Sequence, residues 1–371
     1  MAEQSVARQG YLLLADISGY TSYLAAAELD HAHEVVSDLL ELITARLSPV
    51  YLIAKLEGDA VFAYAPAESV SRPEQILEAV EATYVAFRNR LEAANRRTTC
   101  SCKACRSIPA LDLKFVVHFG TYVRRRIAGA PDLVGSDVNI VHRLLKNSIG
   151  RVTGWNAYVL LSDSARTQIN IEPSGLHQGT EEYEHLERIT TYAFDLHRRY
   201  AEISSERRIL QKLGEPDFRY TISVKAPLPV VWEWLNDPVK RKITDKADVS
   251  IEKRVGGRIK EGATFHCAHG ENVSVEEVVE WKPYSSFALE HRESFGTILF
   301  VHDLIQEGDG VRVELRAKMF PRLRFLKPFA RMLMKIGAKR LGFEEQLERF
   351  RTSAEIDWEH RSEELVDVST Q

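Results

Sequence analysis

Two aspartates, each at the end of a predicted strand, are the residues of this chain best suited to metal-ion chemistry. Asp16 ends an apolar run that begins at Tyr11, and Asp59 lies in the turn between two further apolar runs. Gly-Asp favours a hairpin turn between the two runs that flank Asp59. If the first strand lies next to this hairpin in a sheet, the two carboxylates would lie close together. Carboxylate oxygens suit Mg²⁺ or Mn²⁺, and two such ions roughly 3.5–4 Å apart serve phosphoryl chemistry. The alternative for each residue is an ordinary turn aspartate.

Strands and amphipathic helices alternate along the first half of the chain and would position both aspartates. The helix predicted between them has an apolar face with three- and four-residue spacing. This face consists of Val35, Val36, Leu39, Leu40, Ile43 and Leu47. Beyond Asp59 the pattern predicts a helix at about 74–94, a buried strand at 113–120 and a helix in GSDVNIVHRLLKNS. Two later strands are predicted at 157–161 and 191–196.

Four segments, in order along residues 1–200, resemble motifs of the class III nucleotidyl cyclase domain. LLLADISGYTSY resembles the family's first strand, and KLEGDAVFA resembles its Lys-x-x-Gly-Asp hairpin. LKFVVHFG resembles a strand ending in aliphatic-His-x-Gly, and DLVGSDVNIVHRL resembles Asp-x-x-Gly-x-x-Val-Asn-x-x-x-Arg. The resemblance implies an α+β fold whose N-terminal domain is a ferredoxin-like, cyclase-type α/β sandwich. It assigns two Mg²⁺ or Mn²⁺ ions to Asp16, Asp59 and the backbone carbonyl of Ile17.

The same resemblance implies roles for four further residues in binding a purine nucleoside triphosphate. Lys55 and Asp132 would bind the purine, and Asn139 the ribose, while Arg143 would stabilise the phosphates in the transition state. Asn139 and Arg143 are four apart and so share a helical face. The alternatives are a solvated strand residue for Lys55, a loop residue for Asp132 and an exposed helix face for the other two.

One position departs from the family pattern. The family has a phosphate-binding lysine before its final Thr-Tyr strand, whereas Glu184 and Leu186 occupy the corresponding places here. Two functions therefore stay open. The first is an adenylate cyclase that forms cyclic AMP from ATP, and the second is an inactive nucleotide-binding or structural homologue that acts as a ligand-responsive regulator. The resemblance also implies a homodimer, because the metal aspartates of one chain would face Asn139 and Arg143 of the other.

Three cysteines lie close together in TTCSCKACRSI. Cys100, Cys102 and Cys105 supply three soft ligands within six residues and would bind Zn²⁺ if a fourth ligand arrived from elsewhere. The alternative is a group of reduced thiols in a helix-to-strand loop.

The second half of the chain has its own pattern. Residues 201–215 form a polar, helix-favouring linker, and Pro216 ends it. TISVKAPLPVVWEWLNDP, followed by alternating strands such as FHCAHGENVSVEEVVEWKPYSSFAL and one long amphipathic helix, resembles the START-like, or polyketide-cyclase-like, helix-grip domain. The resemblance covers 216–355 and implies a cavity for a small apolar ligand, with a filled core as the alternative. Residues 356–371 are expected to be a loose acidic tail.

Composition restricts the partners further. The 371 residues carry a formal charge of −4 with both signs interspersed, so neither nucleic acid nor an anionic lipid surface is an expected partner. The N-terminus lacks a leader pattern, and no apolar run is long enough for a membrane span, which together favour a cytoplasmic protein.

Overall fold

The computed structural model describes residues 6–26, 29–97, 107–127, 130–184, 186–204, 208–269, 272–293, 295–323, 328–340 and 342–370. It divides the chain into two units, Met1–Ser205 and Glu206–Gln371. Each unit combines a β-sheet with helices, so the predicted mixed α+β class is confirmed. The division falls inside the stretch read from the sequence as a linker, residues 201–215.

The first unit contains a sheet with the strand order β2-β3-β1-β4-β6-β8-β7, and β5 pairs with β4 outside this path. The strands are β1 (Ala7–Ser18), β2 (Leu52–Glu57), β3 (Ala60–Pro66), β4 (Asp112–Ile127), β5 (Ala130–Val134), β6 (Tyr158–Ser162), β7 (His177–Glu181) and β8 (Ile189–Asp195). Strand β1 pairs antiparallel with both β3 and β4, and β4 pairs parallel with β6. The strand that carries Asp16 therefore lies inside the sheet.

Helices connect the strands of this unit. They are α1 (Tyr20–Ala26), α2 (Leu29–Leu47), α3 (Gln75–Arg97), α4 (Ser136–Leu144), α5 (Ile149–Thr153), α6 (Asp163–Ile169) and α7 (Leu196–Ser204). Leu12 and Leu14 of β1 share a buried cluster with Val138 and Val141 of α4, so α4 covers one face of the sheet. Side chains alternate along a strand, which directs Leu13 to the opposite face, and that residue is fully buried as well.

The second unit contains an antiparallel sheet with the order β10-β11-β12-β13-β14-β15-β9. Its strands are β9 (Phe218–Val224), β10 (Asp248–Lys253), β11 (Thr264–His269), β12 (Asn272–Lys282), β13 (Ser286–Glu293), β14 (Gly296–Glu307) and β15 (Gly310–Pro321). Its helices are α8 (Arg208–Leu213), α9 (Leu228–Asn236), α10 (Pro238–Asp245), α11 (Ala330–Arg340) and α12 (Phe343–Thr370). The two sheet faces are covered differently: Leu213 of α8 packs with Ala288 and Leu299, whereas α11 packs on Ala317 and Met319.

The last helix extends beyond the apolar face that predicted it. α12 runs to Thr370 and so includes most of the stretch expected to be a loose tail. Its Asp357 accepts a hydrogen bond from the indole nitrogen of Trp234 at 2.7 Å, and Arg361 pairs with buried Glu233. These contacts hold the helix onto α9. Among the helices of the described residues, none combines the length and apolarity that a membrane crossing requires.

Candidate metal and nucleotide site

Asp16 lies near the end of β1, next to the β2–β3 turn that contains Asp59. The β1–β3 register places Asp16 opposite Ala60, the residue after Asp59, and the Ile17 amide donates to the Asp59 carbonyl at 3.2 Å. Gly58 precedes Asp59 with φ of 66°, a conformation that glycine adopts at little cost, and it closes the β2–β3 hairpin. The end of β1 and the hairpin turn therefore hold the two aspartates next to each other.

The pKa of Asp59 is affected by the nearby Asp16. Its carboxyl is half-buried, and its pKa is raised from 3.8, first by burial and second by the charge of Asp16. A backbone hydrogen bond and the charge of Lys114 oppose the rise without cancelling it. A half-buried carboxyl whose pKa is raised by a second acidic group nearby is a site where a bound cation would stabilise the charged form.

Lys114 supplies a positive charge to this pair, and the sequence reasoning missed it. The residue lies on β4 directly opposite Asp16, and its Nζ is 2.9 Å from the Asp16 Oδ2. Both side chains are largely buried, with 22% and 14% of their surface exposed. The available signal was that Lys114 is the charged residue inside the apolar run LKFVVHF. Its strand partner depends on a long-range register, which the run alone does not reveal.

The donor set fits a hard divalent cation, although the protein supplies few ligands. Within the described ranges, no group of three or more His, Cys, Asp and Glu side chains is placed to hold a metal. Asp16 and Asp59 offer carboxylate oxygens, the ligands that Mg²⁺ and Mn²⁺ prefer. Backbone carbonyl, water or phosphate oxygens would have to complete the coordination, as is common for Mg²⁺.

Lys55 lies on β2 and is held by a local ion pair. Its Nζ is 2.7 Å from a Glu57 oxygen and 5.9 Å from the ring centre of Phe62. The other Glu57 oxygen is 3.3 Å from Nδ1 of His142, which packs on the same Phe62 ring at 4.8 Å. Burial lowers the pKa of His142, and Glu57 partly opposes this shift. The cluster links β2 and β3 to helix α4.

Asp132, predicted to bind the purine, lies in strand β5, so the alternative of a loop residue is wrong. Strand β5 pairs with the extension of β4, and the register places Asp132 opposite Arg125. The guanidinium of Arg125 donates to the Asp132 Oδ2 at 3.2 Å. The Arg125 side chain is about half-exposed, so this pair can open to solvent.

Asn139 and Arg143 lie one turn apart on α4, and both are exposed. Neither side chain makes a hydrogen bond or ion pair with any residue that the structure describes. The two polar groups therefore share an accessible helix face, as their spacing predicted. Among the described residues of one chain, no hydrogen bond or ion pair connects the side chains of Asn139 and Arg143 with Asp16 or Asp59.

The beginning of α4 is fixed to β4 through Asp137. Its carboxylate accepts from the Thr121 amide at 2.6 Å and lies 3.1 Å from Nε2 of His118. The other ring nitrogen of His118 is 2.8 Å from the hydroxyl of Ser162. Gly120 makes room for this arrangement, because a Cβ there would lie 2.4 Å from Cγ of Asp137. The glycine of the aliphatic-His-x-Gly motif thus permits α4 to dock.

Other candidate residues are less connected to the site. Arg188, near the position of the missing lysine, is exposed and pairs with Glu182 at 2.7 Å. The zinc candidates Cys100, Cys102 and Cys105 lie outside the described residues. The remaining cysteine, Cys267, is buried in the second unit, where burial raises its pKa.

Part of the first unit matches known sequences. The model for a family described as "Protein of unknown function (DUF2652)" matches residues 36–153, which is less than half of the chain. A 102-residue stretch is 37% identical to "Uncharacterized protein Rv2561/Rv2562" of Mycobacterium tuberculosis. This alignment covers 26% of the present chain and 45% of the relative, so the chain spans less than half of the relative's length.

Solved structures with a similar fold include nucleotidyl cyclases. A bacterial light-regulated adenylyl cyclase gives a TM-score of 0.39 at 13% identity, over 54% of this chain and 57% of that one. The adenylyl cyclase CyaB from P. aeruginosa gives 0.39 at 14% identity, over 52% and 95% of the two chains. The catalytic core of a rhodopsin-guanylyl cyclase with converted specificity, in complex with ATPalphaS, gives 0.36 at 16% identity, over 52% and 98%.

Proposed function

We propose that the first unit binds a purine nucleoside triphosphate with Mg²⁺ or Mn²⁺ and, as a homodimer, converts ATP to cyclic AMP. The observation that carries this proposal is the placement of Asp59 next to Asp16, where burial and then the charge of Asp16 raise the pKa of Asp59. Four motifs in the family's order, two of which contain these residues, support the same assignment.

The chain's own residues would divide the work between metal, base and phosphate. Asp16, Asp59 and the Ile17 carbonyl would hold the divalent cations, which when bound neutralise the triphosphate and polarise its α-phosphorus. The ribose 3′-oxygen attacks that phosphorus, the bond to the bridging oxygen breaks, and pyrophosphate leaves as the hydroxyl proton passes to solvent. Arg143 would donate to the phosphate oxygens as their charge increases, and Asn139 would orient the ribose.

Lys55 and Asp132 would select adenine over guanine. A lysine donates to N1 of adenine and a carboxylate accepts from its N6 amino group, whereas guanine presents the opposite pattern on that edge. Both side chains already have partners, Glu57 and Arg125, but an ammonium has three donors and a carboxylate several acceptor positions. We expect ATP to bind about tenfold more tightly than GTP, since each buried mismatch costs roughly 1–3 kcal/mol. Titration calorimetry with Mn²⁺ measures this, and equal affinities would mean that these residues do not read the base.

A cyclase assay tests the proposed reaction. Purified full-length protein is incubated with ATP and Mn²⁺, and cyclic AMP is quantified by chromatography. If the first unit is a cyclase, we expect product from the natural chain and none from Asp59→Ala. The matched control is Asp38→Ala, which removes a partly exposed aspartate paired with Arg90. The absence of product at high protein concentration would reject turnover.

The alternative is a catalytically inactive regulator that retains nucleotide binding. The departure at Glu184 favours it, because an acidic side chain near the expected phosphate position repels a triphosphate. Nucleotide binding without product in the assay above supports this second function. Failure of both binding and turnover would contradict the two proposals together.

For the second unit we propose a START-like helix-grip domain that responds to a small apolar ligand. The order of a strand, two short helices, six antiparallel strands and terminal helices supports this fold. Phe343 at the start of α12 packs edge-on against Phe218 and Tyr220 of β9, at ring-centre distances of 5.3 and 6.3 Å. These rings, together with Phe300 on the same side of the sheet, are only partly buried, so an apolar molecule has aromatic surface to contact. Native mass spectrometry of the purified chain tests for a bound ligand.

A further inference from the structure

Helix α11 of the second unit has an exposed apolar face. One side of the helix is buried, since Ala330 and Met334 pack on Ala317 and Met319 of β15. The opposite side exposes Met332 (53%) and Ile336 (45%), and Phe329 (52%), the residue immediately before the helix, lies in line with them. Their spacing of three and four residues places them on one stripe along the helix. The packing of the buried side fixes this stripe toward solvent.

Basic residues accompany the stripe. Lys335 and Lys339 are exposed on the same side of α11, and no described residue forms an ion pair with either. From Arg322 to Gly342, both included, the sequence contains seven lysines and arginines and no aspartate or glutamate. The chain as a whole has a formal charge of −4, so this segment departs from its surroundings. The net charge of the whole chain therefore does not reveal that this segment forms a basic, amphipathic helix.

The acidic groups near the helix leave this charge in place. Arg331 pairs with Glu215 and lies 3.9 Å from an Asp217 oxygen, so one basic side chain is neutralised. Glu344 and Glu345 begin the next helix, α12. Lys335 and Lys339 lie on the exposed side beside Met332 and Ile336, where an anionic partner can reach them.

We propose that α11 docks on an anionic lipid surface, with Phe329, Met332 and Ile336 in the headgroup boundary. A short helix with an apolar stripe flanked by lysines lies in the plane of such an interface, where apolar burial and attraction to anionic headgroups act together. A nucleic acid partner explains the lysines but gives no reason for the apolar stripe. A second protein copy explains the stripe but places like charges opposite each other, since the same basic face would be repeated.

Vesicle flotation with the full-length protein tests this surface. One set of vesicles contains phosphatidylcholine alone and the other contains phosphatidylcholine with phosphatidylserine. We expect binding only to the anionic vesicles, and we expect it to fall as salt is raised because the attraction is screened. Equal binding to both vesicle types, or to neither, would overturn the proposal.

Paired variants locate the surface on α11. Lys335→Glu/Lys339→Glu and Met332→Ser/Ile336→Ser should each weaken vesicle binding by roughly tenfold or more. The matched control is Val239→Ser/Ile243→Ser, which removes apolar side chains that are 69% and 54% exposed on α10. Circular dichroism verifies that each variant is folded. If the control loses as much binding as the α11 variants, the proposal is wrong.

Two further readouts separate other occupants from the lipid surface. Light scattering on the same variants detects a dimer held through α11, and electrophoretic mobility with duplex DNA detects a nucleic acid partner. If the α11 variants bind vesicles like the natural chain but differ from it in oligomeric state or in DNA binding, the assignment is also overturned.

Discussion

At the scale of single residues, Asp59 is held in an environment that disfavours its charge. Its folded pKa is above the unfolded value of 3.8, so its contribution to stability is present at low pH and is lost as pH rises through the folded pKa. Asp59→Asn removes this cost. We therefore expect the variant to unfold at higher urea than the natural chain at neutral pH without divalent cations, and at similar urea below about pH 3.8.

Urea titrations at several pH values, monitored by circular dichroism, measure this difference. Asp38→Asn, an exposed aspartate in an ion pair with Arg90, controls for the loss of any surface charge and should change little. A neutral-pH stability of Asp59→Asn below that of the natural chain would contradict an environment that disfavours the charge of Asp59.

Lys114 places a positive charge beside the Asp16 carboxylate, with its Nζ 2.9 Å from Oδ2. Lys114→Met leaves the Asp16 carboxylate without its partner, which we expect to cost roughly 1–3 kcal/mol of the free energy of unfolding. The same change removes a positive charge that competes with metal, so added Mn²⁺ should raise the melting temperature more in the variant than in the natural chain.

Differential scanning fluorimetry with and without Mn²⁺ reports both effects of Lys114→Met. Lys146→Met, an exposed lysine after α4, is the matched control and should respond to Mn²⁺ like the natural chain. An equal Mn²⁺ increment in all three proteins would separate Lys114 from the metal site.

At the scale of secondary-structure elements, the position of α4 depends on one glycine. In Gly120→Ala the new Cβ lies 2.4 Å from Cγ of Asp137, so the carboxylate must leave Thr121 or the strand must shift. Overpacking of this kind costs about 1–3 kcal/mol, and it would also tilt the helix that carries Asn139 and Arg143. Chemical denaturation measures the loss of stability. Gly179→Ala in β7 is the control, because its nearest neighbour is the Thr191 hydroxyl at 3.2 Å.

The elements near the aspartates could be predicted because their signals are local. The apolar runs and the Gly-Asp turn predicted the β2–β3 hairpin, and helical spacing predicted α4. The pairing of Lys114 with Asp16 and the addition of β5 to β4 were missed, since both depend on strand register far from the turn. The helical state of residues 356–370 was also missed, because Asp357 and Arg361 find polar partners on α9 that composition does not show.

At the scale of the whole molecule, the proposed homodimer would bring together two halves of the site from different chains. Asp16 and Asp59 converge in the sheet, while the side chains of Asn139 and Arg143 are exposed and bond to no residue that the structure describes. If the site is shared across a twofold axis, a chain with defective aspartates can still donate an intact α4 face. Asp59→Ala and Arg143→Ala should each abolish cyclic AMP formation alone.

Mixing the two inactive variants in equal amounts should restore activity through heterodimers that contain one intact site. Random reassortment makes half of the dimers mixed, each with one of its two sites repaired, so about a quarter of the natural activity is expected. The measurement is cyclic AMP formation after the subunits exchange, with each variant alone as its own control and sedimentation to verify the dimer. The expected recovery requires a dimer that takes Asp59 from one chain and Arg143 from the other. The same activity in a strictly monomeric mixture would therefore contradict the shared site. No recovery in a mixture shown to contain heterodimers would place both residues in one chain's site.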